Sequence, residues 1–140
     1  MWLLDTNVLS ELRRRHRTHP NVAAWADGLH PQDLFLSAIT ILEIEAGALM
    51  IARRDPAQGA ILRAWIDNRV LTAFEGRIIP VDSKVAQRCA SLHVPDPRAE
   101  RDALIAATAL VYRLRVATRN VADFAPMGVD VVNPWEFARR

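Results

Sequence analysis

The sequence has few of the features that would place it outside ordinary globular proteins. It has a single cysteine, Cys89, so an internal disulfide is excluded and the chain suits a reducing compartment. No apolar run is long enough to span a bilayer, and the apolar opening that ends at Asp5 is too short for a signal peptide. We therefore expect a cytoplasmic protein with no membrane association.

Positive charge exceeds negative charge only slightly, with 18 lysines and arginines against 16 aspartates and glutamates. The formal net charge is only +2, although the sequence pI is about 9.3, and Lys84 is the only lysine. This excess is too small to establish a nucleic-acid partner by itself. Hydrophobic residues make up 51% of the 140 residues and charged residues 24%, which is a globular balance. With no repeat and no long linker, the chain is predicted to form one domain over residues 1–140.

Short strand-like runs alternate with longer helical patterns along the chain. The predicted strands are 1–5, 33–37, 77–81, 115–118 and 129–132. The predicted helices are 6–15, one opened by Pro20, one capped by Ser37, 56–74, one capped by Asp82 or Ser83, and 99–114. This alternation predicts an α/β fold with a mainly parallel sheet that is covered by helices on both faces.

Four carboxylates fall where such a sheet would bring them together. Asp5 ends the first strand, and Asp123 follows a later one. Asp102 lies in the first turn of the helix 99–114, and Glu43 lies near the start of the helix after the second strand. Because ligands of open parallel sheets bind outside the carboxyl ends of the strands, the four side chains could meet at that edge.

A cluster of this kind repels itself unless a cation is bound. Oxygen-only ligands favour Mg²⁺ or Mn²⁺, which keep several waters and accept phosphate oxygens as further ligands. Such ions support in-line displacement at a phosphodiester. The carboxylates therefore indicate phosphodiester hydrolysis.

Taken singly, Asp102, Asp123 and Glu43 also have ordinary structural interpretations. Asp5 is the hardest to explain in that way, because a buried strand rarely ends on an acid without a partner. Asp102 could simply complement a helix dipole, and Asp123 could be a turn residue. Glu45 lies two positions from Glu43 and faces roughly the opposite side of the helix, so only one of them can serve a common site. Helical periodicity does not decide between them.

Four short segments, in order, resemble the motifs of a known family. They are Leu4-Asp5-Thr6-Asn7-Val8, the stretch Ile39 to Gly47 around Glu43, the stretch Asp102 to Ala109, and the stretch Thr118 to Phe124. Together they resemble PIN domains, and Asn133-Pro134-Trp135 resembles a common ending of the VapC-like toxin branch. Each motif is short and degenerate, whereas the ordered set is highly specific.

The resemblance implies a three-layer α/β/α sandwich and a Mg²⁺- or Mn²⁺-dependent endoribonuclease. It implies Asp5 and Asp102 as metal ligands, with Glu43 rather than Glu45 and with Asp123 completing the site. It also implies that four polar residues position carboxylates, water or phosphate by hydrogen bonds; these are Thr6, Asn7, Thr118 and Asn120.

The same resemblance implies partners. Proteins of this branch are homodimers that cut RNA and are held inactive by a cognate antitoxin, which lies over the first helices and reaches the acidic pocket. The arginines at 13–15, 17, 53, 54, 98 and 119 could form a positive rim that grips RNA phosphates, an interpretation slightly favoured over a solvated helix end. Arg101 is interpreted as solvated and Cys89 as buried.

Three rival functions are weighed against this interpretation. A haloacid-dehalogenase-type phosphotransferase needs a second aspartate at position 7, where Asn7 stands. A receiver domain needs a late lysine, and Lys84 is in the wrong place. The main alternative is a catalytically silent PIN-fold module for RNA binding or scaffolding, which would be expected to have lost carboxylates.

Overall fold

The computed structural model describes residues 1–138, so residues 139 and 140 of the predicted domain lie outside it. Its strands are β1 (Trp2–Leu4), β2 (Leu34–Ser37), β3 (Ile78–Ile79), β4 (Arg115–Ala117) and β5 (Val131–Val132). Its helices are α1 (Thr6–Leu12), α2 (Pro20–Asp27), α3 (Ala38–Arg54), α4 (Pro56–Trp65), α5 (Leu71–Ala73), α6 (Ser83–Leu92), α7 (Glu100–Tyr112) and α8 (Val121–Phe124).

The five strands form one sheet in the order β3-β2-β1-β4-β5, and every neighbouring pair is parallel. Helices cover both faces, which confirms the expected α/β/α sandwich. Because all strands run in the same direction, their carboxyl ends share one edge. The central strand β1 ends at that edge on Leu4, directly before Asp5.

Side chains of β1 alternate between two separate apolar cores, as the pleat of a strand requires. Leu3 packs with residues of α6 and α7, including Val85 and Ile105. Trp2 and Leu4 face the other side. Each helical layer is thus attached to the sheet by its own apolar core.

Helix starts follow the capping chemistry expected from the sequence. The Ile39 N–H donates to Ser37 Oγ at 3.0 Å, so Ser37 caps α3 as predicted. Asp82, rather than Ser83, caps α6 by accepting from the Val85 N–H at 2.9 Å. These caps place the first turns of both helices beside the sheet.

Several predicted boundaries were wrong. Helix α1 ends at Leu12 rather than at residue 15, because Arg15 has a φ of +52° that no right-handed helix accommodates. The predicted helix 56–74 is interrupted by a π-helical segment, Ile66–Val70. Strands β3 and β5 are only two residues long. Within residues 1–138 no helix is long and apolar enough to cross a bilayer.

Candidate active site at the carboxyl edge of the sheet

Asp5 is the most constrained of the four predicted carboxylates. Its residue is 6% exposed, and its N–H donates to the Ala117 carbonyl at 2.9 Å, which continues the pairing of β1 with β4. The side chain caps α1, since its Oδ1 accepts from the Thr6 N–H at 2.8 Å. The end of one strand and the start of one helix therefore hold this carboxylate at the sheet edge.

Two neighbours donate to the other oxygen of Asp5. The buried Thr118 hydroxyl donates to Asp5 Oδ2 at 2.7 Å, and the Asn7 amide donates to the same oxygen at 3.3 Å. The Asn7 amide also lies 3.3 Å from Thr118 Oγ1. These predicted positioning residues thus come from opposite ends of the chain and meet at one carboxylate.

Glu43 and Glu45 are separated as the helical geometry requires. The Thr6 hydroxyl donates to Glu43 Oε1 at 2.7 Å, which draws Glu43 towards Asp5. Glu45 instead accepts hydrogen bonds from both terminal nitrogens of Arg63, at 2.6 and 2.8 Å. That pair lowers the pKa of Glu45, and it leaves Glu43 as the glutamate beside the predicted site.

Asp102 and Asp123 approach the same edge from α7 and α8. Burial raises the pKa of Asp102 above its ordinary value, and repulsion from Asp5, Asp123 and Glu43 raises it further. Burial likewise raises the pKa of Asp5, hydrogen bonds from Thr118 and Thr6 lower it, and repulsion from Glu43 and Asp123 adds to the increase. The four acids therefore interact electrostatically as one cluster.

The donor set fits a hard divalent cation. It offers carboxylate oxygens only, and a bound cation would compensate the repulsion that raises these pKa values. Among the described residues, no three of the four carboxylates offer oxygens within 4.8 Å of one another. This wider spacing suits an ion that keeps part of its water shell and reaches some of the carboxylates through water.

Asn120 and Arg101 contact the site in ways that the sequence did not predict. Asn120 contacts the site through its backbone: its N–H donates to Thr118 Oγ1 at 3.0 Å. No hydrogen bond of its side chain is found within residues 1–138. Arg101, predicted to be solvated, is half-exposed but lies 3.9 Å from Glu43 Oε2. Arg101 directly precedes Asp102, but that adjacency alone does not indicate a contact with Glu43.

A second group of chemically reactive side chains, outside the predicted site, joins α6 to α7. His93 Nε2 lies 3.7 Å from the Cys89 sulfur and 3.1 Å from Glu100 Oε2. Because His93 Nδ1 accepts from the Arg98 N–H at 3.0 Å, the ring proton belongs on Nε2, where Glu100 accepts it. Burial raises the pKa of the Cys89 thiol, whose residue is 3% exposed, as expected for an apolar role. We therefore interpret Cys89, His93 and Glu100 as a structural contact between α6 and α7.

Comparison with known proteins agrees with this architecture. A family model described as the PIN domain matches residues 2–126. The chain is 38% identical to a protein named toxin FitB of Neisseria gonorrhoeae, with 96% of this chain and 99% of that one covered. It is 35% identical to a protein named VapC ribonuclease Y4jK of Sinorhizobium fredii, with 97% and 99% covered.

Solved structures extend the likeness to three dimensions. A chain in the FitAcB crystal structure from Neisseria gonorrhoeae matches with a TM-score of 0.88 and 37% identity, over 98% of this chain and 100% of that one. A chain in the structure of FitAB bound to an IR36 DNA fragment matches with a TM-score of 0.88 and 35% identity, over 100% and 99%. A chain of a toxin–antitoxin complex from Klebsiella pneumoniae matches with a TM-score of 0.69 and 31% identity, over 98% and 100%.

Proposed function

This chain belongs to the PIN-domain family, and from that premise we propose that it is a Mg²⁺- or Mn²⁺-dependent endoribonuclease, the toxin of a toxin–antitoxin pair. The observation that carries the proposal is the meeting of Asp5, Glu43, Asp102 and Asp123 at one edge of the sheet, where burial and the neighbouring acids raise the pKa values of Asp5 and Asp102. Proteins named as a toxin and as a ribonuclease, and a chain of a toxin–antitoxin complex, are similar to this protein along nearly its whole length.

Each carboxylate has a distinct place in the proposed reaction. Asp5 and Asp102 would hold the cation directly, because Asp5 is fixed by its hydrogen bonds and Asp102 projects from the first turn of α7. Glu43 and Asp123 would complete the set through water or a second ion. When bound, the cation would supply Lewis-acid charge and lower the pKa of a bound water.

The remaining residues of the site orient these groups. Thr118 and Asn7 keep Asp5 in one rotamer by donating to its Oδ2, and Thr6 does the same for Glu43. Water would attack phosphorus in line with the leaving 3′ oxygen, so the products would carry a 5′-phosphate and a 3′-hydroxyl. Fixed donors of this kind reduce the reorganisation needed at the moment of reaction.

The proposal includes partners and context. By similarity to proteins solved as toxin–antitoxin complexes, the chain would be restrained by a cognate antitoxin protein and would form a homodimer within a larger assembly. It would act in the cytoplasm on RNA, as a single domain over residues 1–140. The alternative, a catalytically silent RNA-binding or scaffolding module, is disfavoured because all four carboxylates are present.

The test is cleavage of total cellular RNA by antitoxin-free protein in Mg²⁺, Mn²⁺ or EDTA. We expect discrete fragments that require metal and disappear in Asp5→Asn and Asp102→Asn. The matched control is Asp130→Asn, since Asp130 is an exposed aspartate at the amino end of β5, away from the cluster.

Two results would contradict the proposal. Folded protein that cuts no RNA in either metal would favour the silent module. Cleavage that persists at the wild-type rate in both cluster variants would show that the nuclease activity has another origin.

A further inference from the structure

One arginine beside the cluster is held by an aromatic ring rather than by an acid. Arg119 directly follows Thr118 and is exposed, and its guanidinium carbon lies 5.1 Å from the centre of the Trp135 ring. No carboxylate of residues 1–138 forms an ion pair with it. The charge of this guanidinium is therefore uncompensated, although the side chain has a defined place.

Hydrogen bonds hold both residues of this stack, and those of Arg119 lead to the site. The Arg119 N–H donates to Asn7 Oδ1 at 3.2 Å, and the amide nitrogen of the same Asn7 lies 3.3 Å from Asp5 Oδ2. Trp135 lies in a short helical turn, where its N–H donates to Asn133 Oδ1 at 3.0 Å. Its carbonyl accepts from the Asn21 amide at 2.7 Å. Arg119 and Asp5 are thus fixed relative to each other through Asn7.

The chemistry of the guanidinium indicates a ligand. Stacking on Trp135 occupies one face of the planar cation, and the N–H groups around its edge stay available. Such a fork matches two oxygens of one phosphate. An RNA strand that approaches four carboxylates needs a compensating cation, and Arg101, 3.9 Å from Glu43, is already directed to an acid.

We propose that Arg119, held on Trp135, binds a backbone phosphate of the RNA next to the scissile one. This inference rests on the proposed nuclease function and deepens it. Asn7 would then connect the binding of two neighbouring phosphates. Its side chain contacts Asp5, the carboxylate that faces the scissile phosphate, and also the backbone of Arg119, which binds the next phosphate.

The test measures binding of a short, mixed-sequence, fluorescein-labelled single-stranded RNA at several salt concentrations, in an Asp102→Asn background that cannot cut it. Arg119→Ala should weaken binding about 10-fold, since it removes a charge-assisted hydrogen bond. It should also reduce the slope of log affinity against log salt by about 0.7, the value for one lost phosphate contact on a single strand.

Further variants separate charge from geometry. Arg119→Lys should keep the salt slope but lose affinity, because lysine has no planar fork. Trp135→Leu should weaken binding less than Arg119→Ala. Arg88→Ala is the matched control and should change neither quantity, because Arg88 is an exposed arginine of α6 whose side chain forms no hydrogen bond or ion pair among the described residues.

The outcomes separate this inference from the function on which it rests. If wild-type protein cuts RNA and Arg119→Ala leaves both affinity and salt slope unchanged, the phosphate site is wrong, and Arg119 is available to an acidic group of a protein partner instead. If wild-type protein cuts nothing but its RNA binding depends on Arg119, the nuclease proposal fails and the phosphate site stands.

Discussion

At the residue scale, Glu43 and Glu45 form a natural matched pair. Glu43→Gln should reduce RNA cleavage by about 10- to 100-fold, the usual effect of losing a group that supports a metal site indirectly. Glu45→Gln should leave the rate unchanged and reduce the free energy of unfolding by at most about 1 kcal/mol, because its pair with Arg63 is partly exposed. Cleavage rates and urea unfolding of the two variants decide the point, and equal rates would contradict our choice of Glu43.

Thr118 offers a second prediction, in the pH dependence of cleavage. Its hydroxyl donates to Asp5 and lowers the pKa of that carboxyl, so Thr118→Val should raise the pKa further. The acid limb of the pH–rate profile should therefore move to higher pH, as measured by cleavage of one RNA across the acidic range.

Thr40→Val is the control for this variant. Thr40 is also fully buried, but its hydroxyl has no hydrogen-bond partner among the described residues. Its removal should stabilise the fold by up to about 1 kcal/mol or leave it unchanged, with an unaltered pH profile. An acid limb that does not move in Thr118→Val would mean that this hydrogen bond does not tune Asp5.

The predictability of the site differs among its residues. Asp5 could be predicted because a buried strand rarely ends on an unpartnered acid. The partner of Glu45 could not, since Arg63 lies 18 positions away on another helix. Arg101 and the Arg119–Trp135 stack were also beyond prediction as contacts, because each depends on how two distant segments are placed.

At the element scale, α3 and α4 approach so closely that one position admits no side chain. A Cβ atom at Gly59 would lie 2.4 Å from Ala52 Cβ and 2.5 Å from Ala52 Cα. Gly59→Ala should therefore force the helices apart and cost about 1–3 kcal/mol of stability. Gly47, within α3, has no atom within 4 Å of the same position, so Gly47→Ala should stabilise the protein by up to about 1 kcal/mol.

Thermal unfolding of both glycine variants tests the packing of this helix pair. Opposite signs are expected, and a stabilised Gly59→Ala would contradict the close approach of α3 to α4. Neither glycine could be assigned these roles from sequence, where each is simply an unfavourable residue in a helical pattern.

The elements themselves were predictable to different degrees. Strand β1 and helix α7 have strong apolar patterns and proline or polar boundaries, so their positions agree with expectation within about two residues. The π-helical segment Ile66–Val70 has no distinguishing pattern, because its sequence is compatible with an ordinary helix. Strands β3 and β5 lie at the two edges of the sheet and are shorter than predicted, because the apolar runs that indicated them extend beyond the two residues that pair.

At the scale of the whole molecule, the carboxylate cluster should make stability depend on pH and metal together. The folded-state pKa values of Asp5 and Asp102 lie above the ordinary value of 3.8, so the native state binds these protons more tightly than the unfolded chain. Their contribution to stability is present below that value and is lost as pH rises through the raised pKa values. At neutral pH the metal-free protein is therefore destabilised by its own site.

Added Mg²⁺ should reverse this loss. The melting temperature should rise with Mg²⁺ at neutral pH, and the increase should shrink as pH falls, because protonated carboxyls bind metal poorly. Comparison of the melting temperature against pH with and without Mg²⁺ isolates the carboxylate site, since the lowered pKa of Asp82 affects both curves equally. An increase of the same size in Asp102→Asn would mean that the ion binds elsewhere.

The position of β1 in the middle of the sheet has a consequence for the order of synthesis. Its backbone pairs with β4, and Asp5 is held by Thr118, a residue 113 positions later in the chain. A nascent chain on the ribosome therefore cannot assemble the cluster before Thr118 and Asp123 have been translated. Every chain that ends before these residues would be inactive. An inhibitor could therefore already be present in the cell when translation completes the cluster.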